Sequence, residues 1–472
     1  QEMLNFLNEL KNEEIANEII NKIAIISNKK LITKSLVNEN LEKIKPFLFD
    51  LDNDKKKLVE KFFVNVSISV EVKKESIIED KEKKIIPLKV LSSPVLASQK
   101  LGVKDFIRHF RNRYVFLKSL LQQKPELNNL ISIDKITGNQ RNFSVIGIVT
   151  NKTLTKNKNI ILEIEDLTER IKVLISQNKP ELYEKSREIL LDDVIGFKCS
   201  GTREFLFVND FFYPDCFLRE KHRTDEEIYA LFISDIHVGS KNFLESNFNK
   251  FIEWLNEKNC SETQKQLIKK IRYLFVVGDS IDGVGVYPGQ EKDLAIKDIT
   301  KQYEKLAEFL KKIPKHITII HCAGQHDAVR VAEPQPPLGE DFASSLHSIS
   351  NLYLVSNPSL VEIASENNSG IKVLMYHGAS MHPIINEIEE LRIINAHHYP
   401  AKVVKHLLLR RHLAPSHGDM VYIPHANEDP LLIKEVPDII TTADLHRPDI
   451  DSYNGTLIIC NSCWQSITAF EE

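Results

Sequence analysis

The sequence predicts a multidomain α+β chain with a helical N-terminal domain, a small β-barrel and a C-terminal α/β layered domain. Three observations predict it. Apolar residues recur at helical spacing over the first part of the chain, short alternating stretches occupy its middle, and from Ile228 onward strands alternate with helices. At 472 residues the chain is too long for one ordinary core, and 42% hydrophobic with 27% charged residues is a soluble, globular composition. The 62 basic and 66 acidic side chains nearly cancel, so attraction to nucleic acid has to come from a local patch. No apolar run reaches the roughly 18 residues that suggest a membrane span, and the beginning of the sequence lacks the basic-then-apolar layout of a secretory signal. A cytoplasmic location, away from membranes, is expected. Six cysteines over this length form no disulfide framework, and Cys460-x-x-Cys463, with no second pair to complete a zinc site, reads as buried small residues.

The first domain, residues 1–70, rests on Leu4, Leu7, Leu10, Ile15, Ile19 and Ile23, which lie on one helical face. Residues 71–102 begin with a run of lysine and glutamate too charged to bury a core and are expected to be a linker. The next domain, 103–220, opens with an amphipathic helix from about Val103 to Leu121. Phe106, Phe110, Tyr114 and Leu117 line one side, and Arg108, Arg111, Arg113 and Lys118 are available to phosphate or to solvent. Phe143, Val145, Gly147 and Val149 then alternate, and Ile160 to Ile164, Val173 with Ile175, and Val194 to Phe197 continue the strands. A helix, Glu181 to Leu190, falls between the third and fourth. Five strands in that order match a small Greek-key barrel of the OB type. Such barrels often bind single strands on aromatic platforms, but aromatics are few here before Phe205, Phe207, Phe211 and Phe212, so a spacer or protein-binding role fits equally well.

In the last domain, 221–472, strand after strand ends in residues suited to metal. Tyr229 to Ile233 leads to Asp235-Ile-His237, where the alternation of an extended strand sends both side chains the same way. Tyr273 to Val277 ends in Gly278-Asp279-Ser-Ile-Asp282-Gly283, Ile317 to His321 in Gly324-Gln325-His326-Asp327, Lys372 to Tyr376 in His377-Gly378, and Pro437 to Ile440 in Ala443-Asp444-Leu-His446. Singly, each is an ordinary helix cap or a core histidine. Together they put His, Asp or amide ligands at five successive strand ends, where layered α/β domains gather their ligands.

This series of motifs resembles the calcineurin-like metallophosphoesterases. Within them, it is similar to the small-subunit family of archaeal D-family DNA polymerases, through Asp235-Ile-His-Val-Gly-Ser-Lys241, Asp282 to Pro288, His326 to Pro336, Arg410 to Pro415 and Asn461-Ser-Cys-Trp-Gln465. The resemblance covers about Leu130 to Glu472 and implies a C-terminal metallophosphoesterase sandwich. It also implies a site where two divalent ions clamp a phosphodiester and activate water. Manganese is the expected ion, with magnesium as the alternative. Carried over, Asp235, His237 and His446 hold the first ion, Asp279 bridges, and His377 holds the second with Gln325 and Asp444. His326 contacts the phosphate as the catalytic residue.

Gln325 and Asp444 depart from the Asn and His of the motif, and both fall on the second ion, whose site is thereby weakened, retuned or lost. The implied activity is 3′-to-5′ DNA exonuclease within a heterodimer with a large polymerising subunit, with a sliding clamp as a further partner through that complex. The competing reading is an inactive scaffold that docks and stabilises the large subunit. Lys402, Lys405, Arg410, Arg411 and His412 form a basic run between the fourth and fifth motifs that suits phosphate or, equally, a solvated helix face or a docking patch for the large subunit, and Arg410 with Arg411 is the expected DNA contact.

Overall fold

The computed structural model describes residues 88–94, 101–218, 220–224, 226–364, 370–425 and 427–466. The helices expected over 1–70 lie outside them. Within the expected linker, Leu88–Ser92 is a strand, β1, whose Leu88 and Leu91 pack against buried clusters. Its charged neighbours conceal a short alternation in the sequence.

The helix α1 (Val103–Leu121) has the expected bounds. The strands β2 (Gln140–Leu154), β3 (Ile160–Glu165), β4 (Arg170–Ile175), β5 (Val194–Gly201) and β6 (Leu206–Phe212), with α2 (Pro180–Arg187) after β4, form a closed barrel ordered β2-β3-β4-β6-β5. Residues 144–149 of β2 are all buried, because the strand has two apolar environments. Val145 and Val149 fill the barrel with Leu162, Val173, Phe197 and Phe211, and Ile146 and Ile148 pack under Tyr114, Leu117 and Leu121 of α1. The Tyr114 hydroxyl donates to Ile146 O at 2.9 Å and seats the helix.

Two sheets follow. The strands β7 (Tyr229–Ile233), β8 (Ile271–Val277), β9 (Thr318–Cys322) and β10 (Leu352–Val355) make a parallel sheet ordered β10-β9-β8-β7. The strands β11 (Ser359–Ile363), β12 (Ile371–Met375), β13 (Ile439–Thr442), β14 (Asp449–Tyr453) and β15 (Thr456–Cys460) join β1 in a mixed sheet ordered β1-β11-β12-β13-β15-β14. The sheets pack face to face through Tyr273, Phe275, Val277, Ile320, Val361, Val373 and Met375, and Phe232 stacks on Phe275 with centroids 4.8 Å apart. Leu274, Val276 and Ile319 point the other way, under α3 (Glu245–Leu255), α4 (Glu262–Ile268), α5 (Ile299–Leu310) and α6 (Glu340–His347). Leu374, Ile440 and Ile458 lie under α7 (Met381–Glu387), α8 (Glu389–Ile393) and α9 (Pro400–Arg410). Burial on both faces is why Tyr273 to Val277 of β8 reads as a continuous apolar run. No helix among the described residues is long and apolar enough to cross a membrane.

A buried charge cluster fastens α1 to the C-terminal part. The Asp429 carboxylate accepts from Arg113 Nε at 2.7 Å and meets His412 Nε2 at 2.8 Å and His109 Nε2 at 3.2 Å, with all four side chains almost fully buried. Arg113 is therefore a joint between elements and not a phosphate contact. Burial alone would raise the Asp429 carboxyl, but Arg113, His412 and His109 outweigh it and hold it well below the usual carboxylate range. The stabilisation from this depressed carboxyl is complete above its unfolded value and is lost as the pH falls through the folded one. Arg113→Ala, which leaves Asp429 buried beside only two histidines, is expected to destabilise the protein by about 3–5 kcal/mol in denaturant unfolding. The exposed Arg111→Ala should stay within about 0.5 kcal/mol.

Candidate metal centre

The ends of β7, β8, β9, β12 and β13 converge where the two sheets meet. Three groups of side chains lie close enough to share an ion, their ligand atoms all within 4.8 Å of one another: Asp235, His237 and His446; Asp235, Asp279 and His377; and His237, Asp282 and His326. All the expected histidine ligands and two of the expected carboxylates are thus brought together. Asp235 belongs to both groups of expected ligands, whereas the motif puts the bridging position at Asp279.

The route to this convergence differs from the extended alternation expected for Asp235 and His237. β7 stops at Ile233, and both residues lie beyond it in the left-handed region, with φ of 47° and 52°. Asp279 (45°), Asp444 (69°) and His446 (54°) adopt the same unusual backbone. For residues other than glycine such a backbone is disfavoured by roughly 1–3 kcal/mol each. It persists here because the backbone is tied on both sides: Asp235 N donates to Gly278 O at 3.1 Å, His237 N to Asp279 O at 3.1 Å and Ala443 N to His377 O at 2.8 Å.

Each imidazole is oriented by a second contact. His377 Nδ1 lies 2.9 Å from Val277 O, which can only accept, so Nδ1 carries the proton and Nε2 faces Asp279 Oδ2 at 3.2 Å and Asp444 Oδ1 at 3.7 Å. His237 Nδ1 stands 3.2 Å from Asp282 Oδ1, with Nε2 3.4 Å from His446 Nε2. His446 Nε2 is 3.4 Å from Asp235 Oδ1. His326 is fixed by its Nδ1 at 2.8 Å from Asp282 O and by its backbone N–H, which donates to Asp279 Oδ1 at 2.8 Å.

The residues fit metal ions. Asp235 Oδ1, Gln325 Oε1, His377 Nε2 and Asp444 Oδ2 are buried and have no hydrogen-bond partner, an expensive arrangement for polar atoms unless a cation completes it. The electrostatics agree. Burial disfavours charge on His446, yet Asp235 pushes it up to about 12. Burial likewise works against His377 and is overcome by Asp279, so this imidazole titrates well above its ordinary value. On Asp279, burial is outweighed by His377 and His326, which hold the carboxyl far down, and on Asp235 the same opposition is won by His446. Asp444 goes the other way: burial raises its carboxyl, and Asp279 and Asp235 add to the rise against His377 and His382.

Two carboxylates that the sequence motifs contain, but to which they assign no role, belong to this site. Asp282 orients His237 through its carboxylate and His326 through its backbone carbonyl, and the second Asp of Gly278-Asp279-Ser-Ile-Asp282-Gly283 is the available signal. Asp327, in Gly324-Gln325-His326-Asp327, receives the Ser280 hydroxyl at 2.7 Å, Gly324 N at 2.9 Å and the Tyr303 hydroxyl at 3.2 Å, pinning the turns after β8 and β9 together. Arg410 and Arg411, the expected DNA contacts, are buried and hydrogen-bonded within the chain. Arg410, 3% exposed, donates from Nε to Asp193 Oδ1 at 2.9 Å, and Arg411, 5% exposed, donates to the carbonyls of Ile433 and Lys434 at 2.8 and 2.7 Å. They look like a solvated basic patch in sequence because their acceptors lie elsewhere in the fold. Lys405 is likewise paired, with Asp451. Cys460 is buried and Cys463 half-buried, and no cysteine joins the three groups found among the described residues.

Close approach of the turns depends on Gly324, where an added Cβ would stand 2.1 Å from Asp279 Oδ1 and 2.5 Å from Asp279 N. Gly324→Ala is expected to displace Asp279 and to lower manganese affinity at least about tenfold in calorimetric titration, as loss of a ligand-supporting contact does. The far-ultraviolet circular dichroism should keep its folded signature.

A family model describing the B subunits of DNA polymerases alpha and epsilon matches residues 230–450. The DNA polymerase II small subunit of Methanothermobacter thermautotrophicus is 38% identical over 370 residues, 78% of this chain and 74% of that protein. The one from Archaeoglobus fulgidus is 33% identical over 462 residues, 97% of this chain and 87% of that protein. The one from Pyrococcus furiosus is 37% identical over 375 residues, 78% of this chain but only 59% of that protein's length. With identity at this level over most of its length, the chain belongs to the family of archaeal DNA polymerase II small subunits.

Proposed function

We propose that this chain is a metal-dependent 3′-to-5′ DNA exonuclease that works as the small subunit of a two-subunit polymerase, with polymerisation carried by a large partner subunit. The observation that carries the reading is the convergence of Asp235, His237, Asp279, His377 and His446 from both sheets, with buried donor atoms left without hydrogen bonds. The α/β/β/α layering supports a metallophosphoesterase sandwich, and the strand order of the barrel, with α2 after its third strand, supports the OB type. Family membership supports DNA as the substrate and a polymerase as the setting.

Asp235, His237 and His446 would hold one ion, and Asp279 and His377 with Gln325 and Asp444 the other. Four of these seven side chains offer oxygen, which suits manganese or magnesium. Bound there, the ions would clamp the phosphodiester and lower the pKa of a water. The chain's own contribution lies in His326. Its Nδ1–H donates to Asp282 O, leaving Nε2 for the phosphate. Burial disfavours its charged form, but Asp279 and the Asp282 carbonyl shift its pKa above the ordinary value, the direction that favours a ring able to stabilise the phosphate or to protonate the leaving oxygen.

The test is digestion of 3′-labelled and 5′-labelled single-stranded DNA by the purified chain with manganese. Shortening from the 3′ end is expected. Asp279→Ala should abolish it, and His326→Ala should slow it by roughly 10²–10⁴-fold while manganese still binds. A folded natural chain that binds manganese but shortens no DNA would favour a scaffold for the large subunit.

A further inference from the structure

Asp444 stands where the motif has an imidazole, and its two oxygens face different ways. Oδ1 is 3.7 Å from His377 Nε2, and Oδ2 is 3.6 Å from Nε2 of His382, at the first turn of α7. Neither separation is a hydrogen bond, since N–H to O contacts end near roughly 3.2 Å. Both are close to the spacing of donor atoms on neighbouring corners of one ion, about 3–3.5 Å for bonds of about 2.0–2.2 Å. They are longer than the contacts inside the ligand groups described above, His377 to Asp279 at 3.2 Å and His446 to Asp235 at 3.4 Å, and Asp444 and His382 stand outside those three groups. Asp444 Oδ2 is buried with no hydrogen-bond partner, although His382 is beside it. The His382 side chain is 36% exposed, so this imidazole lies on the solvent side of the carboxylate, with the His397 ring centroid 5.3 Å away.

The geometry points to His382 as an imidazole ligand of the second ion, replacing the one that is absent at position 444, with the Asp444 carboxylate spanning the gap between it and His377. The inference rests on the two-ion reading of the site but not on DNA cleavage. The shorter Asp444 side chain no longer has to reach the place of an imidazole: it stands between two of them, His377 from the end of β12 and His382 from the helix that follows. His377 and His382 sit on one connection, so the substitution at 444 and the ligand at 382 occupy the same side of the site.

The experiment is titration of the full chain with manganese chloride, read by calorimetry and by the electron-spin signal of free manganese. The natural chain should bind two ions. His382→Ala should bind the first unchanged and lose at least about tenfold in affinity for the second, with an unchanged melting temperature before metal is added. Asp444→His should make position 382 dispensable, so that Asp444→His with His382→Ala again binds two ions. Two ions bound by His382→Ala with natural affinity would overturn the inference, as would an equal loss from His382→Ala in the natural and Asp444→His backgrounds. Two ions held through His382 in a chain that cuts no DNA would uphold it and remove the nuclease reading instead.

Discussion

The backbone hydrogen-bond ladder of the two sheets continues past the last strand residues, and that continuation ties the loops that carry Asp235, His237, Asp279 and His377 to their neighbours. Gly278 N reaches Cys322 O at 3.1 Å, Asp235 N reaches Gly278 O at 3.1 Å, and Trp464 N closes the ring on Asp235 O at 2.9 Å, tying the loop after β15 to the end of β7. The ligand loops of separate sheets are thereby held in one register. Side chains from distant parts of the sequence can then meet at 3.2–3.4 Å.

That register is costly. Five candidate ligands have left-handed backbones, and several carboxylates are buried close to one another. The apolar contact between the sheets, with Tyr273, Phe275, Val361, Val373 and Met375 fully buried, supplies the stability that such strain requires. The buried carboxylates face His377 and His446, whose imidazoles they push above the ordinary histidine value. Stability and the candidate site draw on different parts of the same layers: the strand interiors hold the sheets together, and the strand ends carry the candidate ligands.

The remaining buried charges serve as joints. Asp429 gathers Arg113, His412 and His109, and Arg410 meets Asp193 just before β5. Both connect the barrel region to the layered domain, so the barrel is anchored through paired charges as well as through Leu432, which packs with Tyr114 and Ile148. A buried pair of this kind is sensitive to loss of one partner because the other charge is left without compensation.

The sequence by itself determined the type and order of the elements that bury apolar residues: the bounds of α1 and β7, the barrel strands, and the strand ends that present Asp235, Asp279, His326, His377 and His446. These are local signals, because periodicity and strand-to-turn transitions lie within a few residues. It did not disclose β1, β10, β11, β14 or β15, which are short or follow a turn, nor the division of the strands between two sheets, because pairing is decided by partners far away in the chain. The same limit explains Arg113, Arg410 and Arg411, which read as free cations until the fold placed Asp429, Asp193 and the carbonyls of Ile433 and Lys434 beside them. It also explains His382, which no motif marks. Only the tertiary structure set it 3.6 Å from Asp444, since a ligand shell is defined by distances in space and a sequence records only distances along the chain.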